Sequence, residues 1–328
     1  MAQYAGWHSI FWLLTAMAGT VLIPIALFFP ETCRKVVGDG SVPPQKWNRC
    51  YTNVWYERRA AREGKTVPYE KREQLAKSRK AKFPNPLGPI LLLLQKECGF
   101  ALLYSSILAC SFYSVVALIP SQFSRIYHFN ELQVSLCYIP FGVGALLAAF
   151  IRGRYIDGNF RRHAKRLGIV IDKNKRTDLT GFPIERARIE VAIPTIVLTT
   201  ACGIGFGWML DQNVHLAGPL ILLFFVGFCA SASLNCIATL LIDIYPGRAG
   251  AVAAANNLLR CMLGAGATAA TVPLINGVGI GWALTMFGLL NTIFMPLLWY
   301  IMREGPGWRA QRAASTKQAA AASPPIKS

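Results

Sequence analysis

Apolar residues in this chain run on for the thickness of a bilayer instead of recurring at the spacing of a water-facing helix or strand. Seven such runs occupy roughly 7–29, 100–120, 133–151, 190–209, 215–242, 250–276 and 279–302. Each is about 19–28 residues long, enough for a helix to cross a hydrocarbon core of about 30 Å. The first run is too long for a signal-peptide core and lacks a basic start, so it is expected to stay as a span. The pattern predicts an all-α polytopic membrane protein with about seven transmembrane helices.

Grouping of the runs divides the chain. Residues 1–30 hold a single span, 31–99 a basic connector, 100–302 six closely spaced spans and 303–328 a tail. The connector opens with "FFPETCRKVVGDGSVPP", a stop rich in proline and glycine. "YEKREQLAKSRKAK" reads as a solvated charged helix, and "NPLGPILLLLQKE" as a short apolar helix lying in the interface. The six later spans fall into three plus three around the short turn "DQN". Such paired three-helix units are a transporter pattern.

Composition agrees with the runs. Of 328 residues 53% are hydrophobic and 15% charged, against about 25% charged in a soluble domain. The net charge of +18 would suggest nucleic acid in a soluble protein, but its placement argues otherwise. Fifteen of the 34 Lys and Arg lie in 31–99, eleven in 152–188 and five in 303–328, all on one side of a seven-span topology. Arg248 joins that side, Arg125 lies opposite and Arg260 falls inside a span. The positive-inside rule then places the N-terminus outside and the C-terminus in the cytoplasm. No nucleic-acid partner is expected.

Chemistry is sparse. The nine cysteines are scattered, mostly within spans, and form no metal-ligand spacing, so they read as small packing residues. No Ser/His/Asp set, paired carboxylates or phosphate loop suggests an enzyme, and no cofactor or metal is implied. "GIGFGW" has the letters of a nucleotide loop but sits inside an apolar run, without the strand–turn–helix setting that loop requires. Prolines 140, 194, 219, 273 and 296 interrupt spans beside Gly/Ala-rich stretches, a combination that lets helices pack closely in lipid.

The stretch "GRYIDGNFRR" (153–162) breaks the third run. Gly153 allows a tight exit from the helix, and Asp157 can accept charge-assisted bonds from Arg154, Arg161, Arg162 or a helix N-terminus. Such a cluster could latch neighbouring spans, or act only as a positive-inside anchor. "AANNLLRC" sets Asn256, Asn257 and Arg260 within about a turn, with Asn257 and Arg260 on one face. They could face a substrate cavity or glue helices together, with Arg260 paired to Asp243 or snorkelling. Asn235 invites the same two readings. Tyr104 and Tyr113 could stack on an amphipathic or cationic compound, or simply pack. His128 and His215 stand near outer span ends, where they could titrate with external pH or serve structure. No carboxylate lies deep in a span. A heptahelical receptor shares the span number, but Gly153 stands where its acidic residue would precede "RY", and the connector after the first span is too long.

"GRYIDGNFRR" resembles the G-x-x-x-D-x-x-x-R-R loop motif of the major facilitator superfamily, as found between helices eight and nine. "FFPETCRKVVGDGSVPP", "YHFNELQVSLCYIPFGVGALLAAFIRGRYIDGNFRR", "GFPIERAR", "TLLIDIYPGRAGAVAAANNLLRCMLGAGATA" and "REGPGWR" are similar to the fungal drug:proton antiporter family, in its quinidine-resistance-like branch. The resemblance runs from about residue 5 to about 312. It implies a partial major-facilitator fold, helix six plus the C-terminal half, with helices one to five and their proton-carrying carboxylates absent. It also implies proton-coupled efflux of small organic compounds or drugs at the plasma membrane, by alternating access. Gly153, Asp157, Arg161 and Arg162 would form a conformational latch. Tyr104, Tyr113, Asn235, Asn256, Asn257 and Arg260 would line the substrate cavity. The expected partners are the lipid bilayer, a small organic substrate, protons and a missing N-terminal half. The alternative is a non-transporting half that associates with a full-length transporter.

Overall fold

The computed structural model describes residues 6–32, 37, 50–62, 87–168, 182–245 and 247–322. Among them it forms helices and no strand: α1 His8–Phe28, α2 Tyr51–Arg62, α3 Leu87–Leu93, α4 Lys96–Tyr127, α5 Glu131–Leu136 and α6 Tyr138–Arg166. α7 Ile184–Asp211, α8 Ala217–Ile244, α9 Ala249–Val278, α10 Ile280–Phe294 and α11 Pro296–Ala322 complete the order. Seven helical segments are long and apolar enough to span a membrane. The chain separates into two compact units, Met1–Asn85 and Pro86–Ser328.

In the first unit α1 buries none of its residues, as suits a span facing lipid. It ends where Phe29 turns extended ahead of Pro30, because proline disfavours helical geometry in the residue before it. α2 meets that end: the Thr52 hydroxyl donates to the Phe28 carbonyl at 3.0 Å, and Tyr51 sets its ring edge against Phe28. The pattern reading did not foresee α2, a polar helix without an apolar run. "YEKREQLAKSRKAK" lies outside the described residues.

The second unit packs six spans, with α3 in the place expected for the short apolar helix. Every span runs beyond its apolar run. Lipid sets hydropathy, whereas a helix continues through any sequence of adequate propensity. Three expectations change on this account. Gly153 is no exit: α6 continues through it to Arg166, since one glycine costs a helix only about 1 kcal/mol. Prolines interrupt less than expected: the last span does step at Met295 ahead of Pro296 and continues as α11, but α7 and α9 run unbroken through Pro194 and Pro273, and Pro219 sits in the first turn of α8. Residues 303–322, expected as tail, belong to that helix.

Two apolar layers form the core of this unit. One, at the end where the basic residues gather, contains Leu102, Ile156, Phe182, Leu241, Tyr245 and Ile301. The other, at the opposite end, contains Phe123, Val134, Phe206, Leu210, Leu223 and Ile280. Hydrogen bonds cross between the helices around and between these layers. Thr271 on α9 donates to Ser114 on α4 at 3.1 Å, and Asn291 on α10 donates to Ser111 on α4 at 2.8 Å. Ser233 on α8 donates to Thr195 on α7 at 2.8 Å, and the Trp208 indole on α7 donates to Thr285 on α10 at 3.2 Å. Asp211 accepts from the Ile280 amide at 3.3 Å, holding the first turn of α10.

α6 and α8 approach to backbone contact at two glycines. A Cβ on Gly144 would stand 2.2 Å from the Phe224 carbonyl oxygen, and one on Gly227 2.2 Å from that of Phe141. Neither obstacle is a flexible side-chain tip, so the helices would have to part. Gly144→Ala and Gly227→Ala are each expected to lower the thermal midpoint of the purified protein, costing about 1–3 kcal/mol. Gly142→Ala, with nothing within 4 Å of its would-be Cβ, should hold or raise it, since alanine favours the helix. The ranking is read from thermal unfolding in one detergent.

Candidate functional site

Charge concentrates at one end of the second unit, where α4, α7, α8 and α11 meet. The start of α7 reads "IERARIE", and its helical turn aims the charged residues in different directions. Arg188 donates to Asp243 of α8 through Nε at 3.0 Å and through its terminal nitrogen at 2.9 Å. Glu185 is buried, with Arg309 of α11 at 3.4 Å, and the same guanidinium also donates to the Phe182 carbonyl. Arg312, one turn further along α11, bonds Glu97 at the start of α4 and lies 4.2 Å over the Tyr245 ring. Burial pushes the Tyr245 phenol up from its ordinary range, although Arg312 pulls the other way. Glu190 receives His163 of α6 at 2.7 Å and Arg186 at 3.4 Å.

The Arg260–Asp243 pair weighed from the sequence is not formed. Asp243 is held by Arg188, which reaches it from the facing helix, whereas Arg260 donates to Asn257 on its own helix at 3.0 Å. The bonds of Glu97, Glu185, Arg309 and Arg312 were missed in the sequence. "GFPIERAR" and "REGPGWR" carry these charges, but only the tertiary fold shows which meet.

The four latch candidates all lie on α6. Asp157, Arg161 and Arg162 are exposed, and among the described residues none of them has an ion-pair partner. The cavity candidates divide. Tyr104 is fully buried on α4, and its hydroxyl lacks a hydrogen-bond partner. Tyr113 lays its ring where a Cβ on Gly264 would stand, which brings α4 close to α9. Asn256 is buried with its carbonyl oxygen unpartnered. Asn257 and Asn235 are exposed, the latter donating back to the Ser231 carbonyl. Arg260 is half-buried, and its Nε lacks a partner.

The setting of Arg260 is distinctive. α9 buries a stripe through Val252, Ala255, Asn256, Gly264, Ala267 and Thr271. Another face of the helix, including Asn257, Leu258, Cys261 and Met262, is exposed. A guanidinium thus stands well inside a membrane-spanning helix with one of its donors unanswered. Among the described residues, no cluster of His, Cys, Asp or Glu could hold a metal ion.

Six closely packed spans, several with prolines inside them, and an intramembrane arginine beside an exposed face define a helical membrane protein of transporter type. The model of the Major Facilitator Superfamily matches residues 1–269, and the chain belongs to that family. It is 42% identical to MFS-type transporter phiD of a fungal species (strain ATCC 74256), over 97% of this chain and 48% of that protein. It is 37% identical to MFS-type transporter tstD of Talaromyces stipitatus, over 97% of this chain and 57% of that one. Citrate exporter 1 of Aspergillus niger is 30% identical over 96% of this chain and 59% of that protein. The chain thus spans about half the length of these relatives. No solved structure matches it.

The Arg188–Asp243 pair makes a clean test of the charged layer. Both partners are mostly buried, and removing one leaves the other an uncompensated charge. Asp243→Ala is expected to cost about 3 kcal/mol or more. Arg188→Leu combined with Asp243→Leu should recover most of that loss, because a buried ion pair and an apolar pair are close in energy. A double-mutant cycle on thermal unfolding measures the difference.

Proposed function

We infer that the chain forms part of a secondary active transporter that moves small organic compounds across a membrane by alternating access. The observation that carries this reading is Arg260, charged and incompletely bonded, inside a span whose adjacent face is uncovered. A charge at that depth marks a substrate or ion path. The guanidinium suits a carboxylate, carbonyl or other acceptor oxygen on the substrate, with Asn257 fixing it through a terminal nitrogen and Asn235 available from α8. Its unpartnered Nε is shielded in this conformation. Tyr104, Tyr113 and Asn256 stand behind this face as its packing layer. The relative named as a citrate exporter handles a small organic acid, which fits such a donor.

On this reading Gly153, Asp157, Arg161 and Arg162 act as a latch that engages in the opposite conformation. Export is driven by protons, carried by a carboxylate outside these spans, since the acids described here sit at helix ends. The protein resides in the plasma membrane, N-terminus outside and C-terminus in the cytoplasm, as the one-sided charge favours. Drug efflux of the quinidine-resistance type is the nearest functional class. A second reading is favoured by the uncovered face of α9: the chain is a half that completes its cavity against another polypeptide, either an N-terminal half or a full-length transporter.

Proteoliposomes bearing the protein, with an imposed pH gradient, test these readings using labelled citrate and a cationic dye. Arg260→Ala is expected to cut organic-acid uptake by about tenfold or more, about 1.4 kcal/mol being a factor of ten, while helix content stays unchanged. Asp157→Asn should slow transport without altering insertion, and an unchanged rate would remove the latch. Failure to transport, together with co-purification of a longer membrane protein, would select the half-transporter reading.

A further inference from the structure

A cavity of about 950 Å³ lies among α6, α7 and α8 at the basic end of the second unit. Residues 148, 152, 155, 159 and 162 of α6 line it, at steps of four, three, four and three. That spacing is one stripe of a helix, so Arg152, Tyr155 and Arg162 stand above one another along the wall. Arg154 joins them from the side, and Val191, Phe228 and Ala232 add apolar surface from α7 and α8. The lining is accordingly apolar in area but rimmed by three guanidinium groups.

The charges do not cancel. Glu190 is the lone acid in the lining, and it is already bonded by His163 at 2.7 Å and Arg186 at 3.4 Å. Among the described residues none of Arg152, Arg154 and Arg162 has an ion-pair partner. Their depth identifies what would answer them. The apolar run of α6 ends at Ile151 and the basic segment begins at Arg152, so Arg152 and Arg154 begin the headgroup layer, Arg162 stands about 15 Å further out along the helix, and the apolar lining extends toward the acyl chains. Tyr155, an aromatic residue at the same height, is of the kind that marks membrane interfaces.

We propose that this groove binds one anionic phospholipid, its phosphate held by Arg152, Arg154 and Arg162 and the upper part of an acyl chain lying on Val191, Phe228 and Ala232. Basic pockets between spans on a positively charged membrane face are suited to acidic headgroups. A free anion would gain nothing from the apolar lining, and a neutral lipid nothing from the arginines. The site is distinct from Arg260 and does not depend on the transport reading. A lipid seated there bridges α6 to α7 and α8, where α6 also carries Asp157, Arg161 and Arg162.

The test uses the purified full chain incubated with equal amounts of phosphatidylserine and phosphatidylcholine in mild detergent, with retained lipid counted by native mass spectrometry. Phosphatidylserine should be retained in preference by about tenfold or more, as expected for several arginines acting near a membrane surface. Arg152→Gln with Arg162→Gln should bring the two lipids to parity. Lys165→Gln with Arg166→Gln, off the lining, should leave the preference intact. Equal retention of both lipids by the unaltered protein would overturn the proposal, and that result needs no variant to fold. Full displacement of phosphatidylserine by inorganic phosphate would also overturn it, in favour of a free-anion site. A photoreactive residue at Tyr155 provides the third arm: crosslinking to lipid in native membranes supports the proposal, and crosslinking to a polypeptide sinks it.

Discussion

Helices in a bilayer cannot be held together by hiding apolar surface, because the lipid around them is as apolar as their neighbours. What remains is close packing and the hydrogen bonds that polar side chains make when no water is present. The six-span unit is organised by both. Gly144 and Gly227 let α6 and α8 meet backbone to backbone, where any Cβ would hold them apart. Ser114 with Thr271, Ser111 with Asn291 and Thr195 with Ser233 then tie α4 to α9 and α10, and α7 to α8. Each bond joins helices that the apolar residues alone would leave free to rotate against lipid. Thr271 lies on the buried stripe of α9, whereas Asn257 is exposed and Arg260 only half-buried.

Outside the hydrocarbon the rules change, and α11 uses the change. Its arginines at 309 and 312 project from one face at a spacing of three, close to where α4 and α7 begin with Glu97 and Glu185. Two acids buried side by side would repel each other and lose hydration. A guanidinium supplied to each offsets both costs. The same layer receives Tyr245 under Arg312 and Arg188 against Asp243. Three helix ends and the middle of α11 are thereby fixed to one another by groups that are nearly all charged.

How much of this was legible depended on whether the signal was local. Long, almost wholly apolar runs have little meaning other than a span, so the seven spans could be read directly, and the family from contiguous stretches such as "GRYIDGNFRR". The ends of the spans could not. Gly153 looks like an exit, yet helix propensity carries α6 through it, and the Ala-rich sequence after Pro306 carries α11 to Ala322. Asn257 and Arg260 were legible as a pair because they are three residues apart on one helix. Arg188 and Asp243 are 55 residues apart, and no spacing rule connects them. Asn256 and Asn257 adjoin in sequence, about 100° apart on the helix, yet one is buried and the other exposed, a split set by which neighbours pack on α9.

Depth gives the arginines of this chain different meanings. At headgroup level a guanidinium is favourable by roughly 1 kcal/mol, through attraction to acidic lipid, so Arg152, Arg154 and Arg162 need no further reason to persist there. At the centre of a span the same group costs about 2.5–3.5 kcal/mol on insertion scales. Arg260 is placed where that cost applies, and its one observed side-chain partner is a neutral amide on its own helix. On the function proposed above, an acceptor oxygen on a transported compound would offset that cost whenever it reaches the guanidinium.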